Sequence, residues 1–164
     1  MREVHSNRLT GLTTVKQILD TATQFEIVAR DFYTALIPKV SKNLRYLAEE
    51  LAEEEQGHVD LFQKLANDPT VIGLMEEKIA RPVSDGRFTD GVQKPDLGDN
   101  PDDQTVLQFA VMRETDAMEQ YSALAKMAPE GPLRTAFEFL ANEEAEHKQE
   151  LEKLYYEIVH SGGV

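Results

Sequence analysis

The chain has 164 residues, of which 41% are hydrophobic, so it is long enough for one domain with a real core and too short for two comfortable ones. Its formal net charge of -13 argues against binding to nucleic acid or to an anionic membrane surface, and no apolar run is long enough to span a bilayer. The absence of cysteine excludes disulfides, thiolate zinc sites, iron–sulfur clusters and cysteine nucleophiles.

Apolar residues recur with the period of an α-helix in four long segments, which we place at about residues 14–37, 41–67, 101–128 and 132–160. The spacing of Thr14 and Gln17 predicts a capping box at the start of the first helix. Pro101, followed by two acids, suits the first turn of the third helix, where the helix dipole favours negative charge. We therefore expect a single all-α domain over residues 1–164.

The segment between the second and third helices, residues 68–100, is rich in proline and glycine. Part of it, "VIGLMEEKIA" (residues 71–80), could form one short helix. Because the other two connections are short, each flanking pair of helices should be an antiparallel hairpin. A linker this long fits a chain that returns along the bundle. The prediction is an antiparallel four-helix bundle of two helical hairpins joined by a long crossover.

The two predicted hairpins repeat each other in sequence. The segment "NLRYLAEELAEEEQGHVDLFQKL" (residues 43–65) aligns without gaps with "PLRTAFEFLANEEAEHKQELEKL" (residues 132–154). The first helix aligns with the third in the same way, so that Glu26 and Tyr33 correspond to Glu114 and Tyr121. One helical hairpin is thus used twice.

Polar side chains interrupt the apolar stripe of every predicted helix near its middle. A glutamate stands there in all four stripes, and a histidine follows one turn later in two of them. These interrupting residues are Glu26, Glu55, His58, Glu114, Glu144 and His147.

Four carboxylates in a bundle core repel one another and are costly to bury as charges. They could instead be protonated, because burial and repulsion raise their pKa values. Two divalent cations would neutralise all four charges, and the two imidazoles would add nitrogen ligands. We therefore predict a dinuclear metal site built from these six residues, with no catalytic residue separate from it.

Other acids and histidines in these helices are expected to be ordinary surface residues. A single Glu-x-x-His is common on solvated helix faces, and several acids stand off the inward stripe. We assign to the surface Glu53, Glu54, Glu143 and Glu146, together with His5 and His160.

Tyr33 and Tyr121 each stand one heptad after a glutamate of the predicted site. Two interpretations are equally open for them. Each tyrosine could simply fill the core, with its hydroxyl reaching some partner. Alternatively, each could donate a hydrogen bond to a ligand carboxylate and fix its orientation.

Ligation by four carboxylates and two imidazoles suits iron, with manganese as the alternative. At this point the sequence resembles rubrerythrin and the wider ferritin-like family of di-iron carboxylate proteins, most specifically in "LAEEEQGH" and "LANEEAEH". The resemblance implies a ferritin-like fold and two iron ions per chain. It also implies that Glu55 and Glu144 bridge the metals. Glu26 and His58 would complete one iron, and Glu114 and His147 the other.

The sequence departs from rubrerythrin in two respects. Rubrerythrins usually carry a rubredoxin-like iron site built from cysteines, and this chain has none, so its electrons would come from a separate donor protein. Rubrerythrin also has a further glutamate one turn after the third-helix ligand, where this chain has Ala117. The remaining set of six ligands is more similar to the symmetrical centre of bacterioferritin.

Three functions are compatible with this resemblance. The first is a di-iron oxidoreductase that reduces hydrogen peroxide or dioxygen, with ferroxidase activity and a role in oxidative stress. The second is an iron-storage protein of ferritin or bacterioferritin type, and the third is a bundle that binds metal without catalysis. We favour the first, and expect a cytoplasmic homodimer or higher homo-oligomer that binds neither nucleic acid nor a membrane.

Overall fold

The computed structural model describes residues 11–92 and 96–161, and four long helices dominate this part of the chain. The elements in chain order are β1 (Leu12–Thr14), α1 (Val15–Leu36), α2 (Lys42–Ala66), α3 (Pro69–Ile72), β2 (Lys78–Ala80), α4 (Asp85–Asp90), α5 (Asp103–Met127) and α6 (Pro132–Ser161). The long helices α1, α2, α5 and α6 correspond to the four predicted ones. None of the helices in the described ranges is long and apolar enough to cross a membrane.

The starts of α1 and α5 follow from local capping. Thr14 and Gln17 form the predicted capping box, in which each side chain accepts a hydrogen bond from the other residue's backbone N–H at 3.1 Å. At α5 the cap is Asp102, whose carboxylate accepts a hydrogen bond from the backbone N–H of Thr105 at 2.7 Å. These caps fix the helices that carry Glu26 and Glu114.

The four long helices form two antiparallel hairpins, α1–α2 and α5–α6, as predicted. Tyr33 lies beside Glu114 while Tyr121 lies beside Glu26, so α1 and α5 run in opposite directions. Since α2 reverses the direction of α1, α2 and α5 are parallel. The crossover between them completes the predicted four-helix bundle.

The apolar core is divided into two clusters. One contains Phe62, Tyr121 and Phe137, and the other contains Tyr33 and Leu107. Ala22 and Ala117 belong to the first cluster and Ala29 and Ala110 to the second, so that small side chains flank the glutamates on α1 and α5. The polar centre of the bundle lies between the two clusters.

The crossover differs from the prediction of one short helix over residues 71–80, which was wrong. Helix α3 ends at Ile72, and β2 pairs with β1 in an antiparallel ribbon. The carbonyls of Met75 and Glu77 instead accept hydrogen bonds from the first N–H groups of α1, on Lys16 and Val15 respectively. These N–H groups have no partner within their own helix, so tertiary pairing outweighs the local helical preference. The additional helix α4 was not predicted.

Candidate metal centre

The structure brings the six predicted residues together in the middle of the bundle. Each is contributed by a long helix and each is at least nine-tenths buried; they are Glu26, Glu55, His58, Glu114, Glu144 and His147. Ligand atoms of Glu55, Glu114, Glu144 and His147 lie within 4.8 Å of one another, as do those of Glu26, Glu55 and His58. Glu55 belongs to both groups, so the groups adjoin.

Both histidines direct Nδ1 into this cluster. The Nδ1 of His58 is 3.6 Å from Oε2 of Glu26 and 3.5 Å from Oε1 of Glu144. The Nδ1 of His147 is 3.7 Å from Oε2 of Glu114 and likewise 3.5 Å from Oε1 of Glu144. These separations are longer than good hydrogen bonds, so the ring nitrogens and carboxylates surround a common space rather than pairing directly.

The cluster has unsatisfied ligand atoms. Within the described part of the chain, each of the six residues has one buried oxygen or nitrogen without a hydrogen-bond partner: Glu26 Oε2, Glu55 Oε1, His58 Nδ1, Glu114 Oε2, Glu144 Oε1 and His147 Nδ1. Buried polar atoms are almost always paired in folded proteins. A pair of divalent cations would satisfy these carboxylate oxygens and imidazole nitrogens, and the residues therefore fit a metal centre chemically.

The pKa values of these buried acids are shifted, upward for some and downward for another. Burial, reinforced by the neighbouring acids, raises the pKa of Glu55 and of Glu144 well above the ordinary range. Burial would also raise the pKa of Glu26, but its interactions with Glu55, His58 and Tyr121 lower it to about 2. The metal-free protein thus keeps the negative charge on some of its central acids and protons on others.

Two acids assigned to the surface from the sequence, Glu54 and Glu143, in fact contact the histidines. The Nε2 of His147 is 2.7 Å from Oε2 of Glu54, and the Nε2 of His58 is 3.1 Å from Oε1 of Glu143. Their side chains are 32% and 29% exposed. That assignment was wrong for these two, whereas Glu53 and Glu146 are exposed as expected.

These outer contacts fix the roles of the ring nitrogens. When the imidazole is neutral, the carboxylate accepts the proton of Nε2–H and leaves the lone pair of Nδ1 directed inward, which is the usual support for a metal-binding histidine. Each contact joins α2 to α6, so the acid of one hairpin holds the histidine of the other. The sequence repeat gave an indication that these two acids have a shared role, because Glu54 and Glu143 occupy equivalent positions in the two hairpins.

The two tyrosines approach the glutamates unequally. The hydroxyl of Tyr121 donates a hydrogen bond to Oε1 of Glu26 at 2.6 Å, while that of Tyr33 is 3.5 Å from Oε1 of Glu114. Both side chains are buried, and burial raises the pKa of each well above its usual value, so both hydroxyls keep their protons. Tyr121 therefore holds the carboxylate of Glu26 more firmly than Tyr33 holds the carboxylate of Glu114.

His160, outside the six-residue group, takes no part in the cluster. His160 is exposed near the end of α6, where its ring lies against Tyr156 with a centroid separation of 4.0 Å. His5 lies outside the described residues.

A buried arginine was not predicted. Arg113 precedes Glu114 on α5, and its guanidinium group lies over the ring of Phe25 at 4.4 Å from the centroid. It donates hydrogen bonds to the carbonyls of Phe25 and Gly91, each at 3.1 Å. Nothing in the helical periodicity distinguishes such an arginine from a surface one, because its partners come from a distant part of the chain.

Comparison with known protein families gave a match over most of the chain. A family model described as a ferritin-like domain matches residues 14–157, a range that contains all six clustered residues. The searches of curated proteins and of solved structures returned no match.

Proposed function

Because the chain belongs to the ferritin-like domain family, we propose that it is a non-haem di-iron oxidoreductase that reduces hydrogen peroxide or dioxygen. The buried cluster of carboxylates and histidines fits a di-iron protein. The observation that carries the proposal is that each of the six clustered residues has one buried atom without a hydrogen-bond partner among the described residues.

We infer a division of the six residues between two metal ions. Glu26 and His58 would hold one ion, and Glu114 and His147 the other. Glu144 suits a bridging position, because its Oε1 is equally distant from the Nδ1 atoms of the two histidines. Glu55 suits the second bridge, since it belongs to both groups of potential ligands.

The four carboxylates balance the charge of two divalent ions, and the oxygen-rich ligation favours iron, with manganese as the alternative. Two iron ions would supply a pair of electrons to the oxidant, and ferrous iron itself could be the reductant in a ferroxidase reaction. The chain's own side chains orient the site. Glu54 and Glu143 hold the histidines with Nδ1 inward, and Tyr121 holds the carboxylate of Glu26.

Turnover requires a source of electrons. The sequence contains no cysteine for a second iron site of the rubredoxin type. A separate electron-donor protein is therefore part of the proposal, as is assembly into a homodimer or higher homo-oligomer.

The test is an anaerobic titration of the metal-free protein with ferrous iron, followed by a stoichiometric amount of hydrogen peroxide. We expect two irons to bind per chain, and the absorption of ferric iron to appear rapidly after peroxide is added. Glu55→Ala should abolish both, whereas Glu53→Ala, which changes an exposed neighbour, should leave both intact.

The result also separates the alternatives. Binding of one iron or none would contradict the dinuclear proposal. Two irons that do not respond to peroxide or dioxygen would indicate a metal-binding bundle without redox activity. Assembly into a large cage, detected by size-exclusion chromatography, would favour iron storage.

A further inference from the structure

Residues 84–92 of the crossover, which we call the α4 segment, pack on side chains next to the cluster. The one large buried side chain of this segment is Phe88, of which 1% is exposed. The ring of Phe88 stacks on Phe25 with a centroid separation of 4.2 Å, and meets the ring of Tyr121 edge to face at 5.5 Å. Phe25 directly precedes Glu26, and Tyr121 donates the hydrogen bond to it. Phe88 therefore packs both on a sequence neighbour of Glu26 and on its hydrogen-bond donor.

Buried polar side chains of α5 hold both ends of the α4 segment. At its start, Gln120 accepts a hydrogen bond from the hydroxyl of Ser84 at 2.6 Å and donates one to the carboxylate of Asp85 at 3.0 Å. At its end, Arg113 donates to the carbonyl of Gly91. Gln120 is 1% and Arg113 4% exposed, and a shift of the segment would leave their polar groups without partners at a cost in free energy. The position of Phe88 is thus closely determined.

Tyr33, the equivalent tyrosine of the other hairpin, has no such ring packed on it from the described residues of the crossover. The ring beside Tyr33 is Phe32 of the same helix, at a centroid separation of 5.4 Å. The hydroxyl of Tyr33 reaches Glu114 only at 3.5 Å. The sequence repeat makes Glu26 and Glu114 equivalent, but the crossover makes their surroundings unequal.

We propose that Phe88 is a positioning residue, which holds Glu26 through Tyr121 and makes the metal position of Glu26 and His58 the tighter of the two. This inference rests on the proposed function. It follows from geometry, because a carboxylate held in the binding orientation loses less freedom when the metal binds. Changes in the outer contacts of metal ligands typically weaken metal binding by about 10- to 100-fold.

The test measures each metal position separately by titration with Co²⁺, followed through its visible absorption. In the Glu114→Ala protein, the metal position formed by Glu26 and His58 stays intact. In the Glu26→Ala protein, the position formed by Glu114 and His147 stays intact instead. Adding Phe88→Ala should weaken Co²⁺ binding about tenfold in the Glu114→Ala protein and less than twofold in the Glu26→Ala protein. The matched control, Phe32→Ala, removes another buried ring and should leave Co²⁺ binding in the Glu114→Ala protein unchanged.

The outcomes distinguish the inference from the proposed function. If Phe88→Ala weakens Co²⁺ binding equally in both backgrounds, or in neither, the positioning role of Phe88 is overturned and the di-iron proposal stays intact. An unaltered chain that binds fewer than two Co²⁺ ions would overturn both. If Phe88→Ala does not fold, Phe88→Leu replaces it, and a smaller loss confined to the Glu114→Ala background is then the expected result.

Discussion

The Nε2 of His147 lies 2.7 Å from Oε2 of Glu54, so the two helical hairpins are joined at a position that the apolar pattern assigns to solvent. Glu143 makes the equivalent contact with His58 at 3.1 Å. The two contacts are reciprocal, because each hairpin supplies one acid and one histidine. The proposed centre therefore consists of six inner residues and two outer acids that set the orientation of the imidazoles.

Glu54→Ala should weaken metal binding without removing an inner residue. The imidazole of His147 would lose the acceptor that fixes its tautomer, and we expect the affinity for Co²⁺ or Fe²⁺ to fall about 10- to 100-fold. Isothermal titration calorimetry measures this change. Glu53→Ala is the matched control, because that neighbouring acid is exposed. Similar affinities for the two variants would show that the contact with His147 does not matter for binding.

Metal binding should stabilise the protein, because the ions bind to the folded cluster and not to the unfolded chain. At a free metal concentration one hundred times Kd, the gain is about 2.7 kcal/mol for each ion bound. For a chain of this size, that corresponds to a rise in Tm of about 5–10 °C per ion. Calorimetry with added Mn²⁺ or anaerobic Fe²⁺, and again after a chelator, tests this expectation. Glu55→Gln should abolish the rise, and a rise that persists in Glu55→Gln would place the responsible metal elsewhere.

The metal-free protein should lose stability as the pH rises above neutrality. Burial lowers the pKa of His147, but Glu114 and Glu54 outweigh burial and raise it from 6.5 to about 11. A raised pKa means that the folded state binds the proton more tightly than the unfolded state. The stabilisation is therefore complete below pH 6.5 and is lost as the pH rises toward 11. The raised pKa values of Glu55 and Glu144 act in the same direction.

Thermal unfolding of the metal-free protein between pH 7 and 9 measures this dependence. One such group changes the free energy of unfolding by at most about 1.4 kcal/mol per pH unit. His147→Gln should have a weaker dependence than the unaltered chain, whereas His160→Gln, at an exposed position, should behave like the unaltered chain. A Tm that increases with pH over this range would contradict the assigned protonation states.

The helices and the inner cluster could be predicted because they depend on short-range periodicity. Spacings of three and four residues place Glu55 and His58 on one face, and the repeat places Glu144 and His147 in the same way. The structure then brings the four faces together, as the bundle requires. No long-range information was needed to find these residues.

The repeat places Glu54 and Glu143 in equivalent positions but does not identify the contacts of the outer residues, because their environment is formed by distant segments. Glu54 and Glu143 stand off the stripe, and only the adjoining helix determines that they meet a histidine rather than water. Arg113 similarly takes its partners from α1 and the crossover. The helix expected over residues 71–80 does not form, because β2 pairs with the distant strand β1. Such pairings lie beyond the range of a periodic pattern.

Two glycines should respond oppositely to alanine. Gly57 lies inside helix α2, and an added Cβ would meet no atom within 4 Å. Alanine has a higher helix propensity and a smaller loss of chain entropy on folding, so Gly57→Ala should stabilise the protein by about 0.5–1 kcal/mol. A Cβ on Gly91 would instead collide with the ring of Phe25, which packs on Phe88.

Gly91→Ala should therefore destabilise the protein by about 1–3 kcal/mol, since the ring must move within a closely packed site. Urea denaturation of the metal-free proteins measures both effects on one scale. A displaced Phe25 would also disturb the carbonyl to which Arg113 donates, and with it the support of Glu26. Gly91→Ala should accordingly weaken Co²⁺ binding, while Gly57→Ala leaves it unchanged. If Gly91→Ala were neutral in both measurements, the close approach of the crossover to α1 would have no energetic importance.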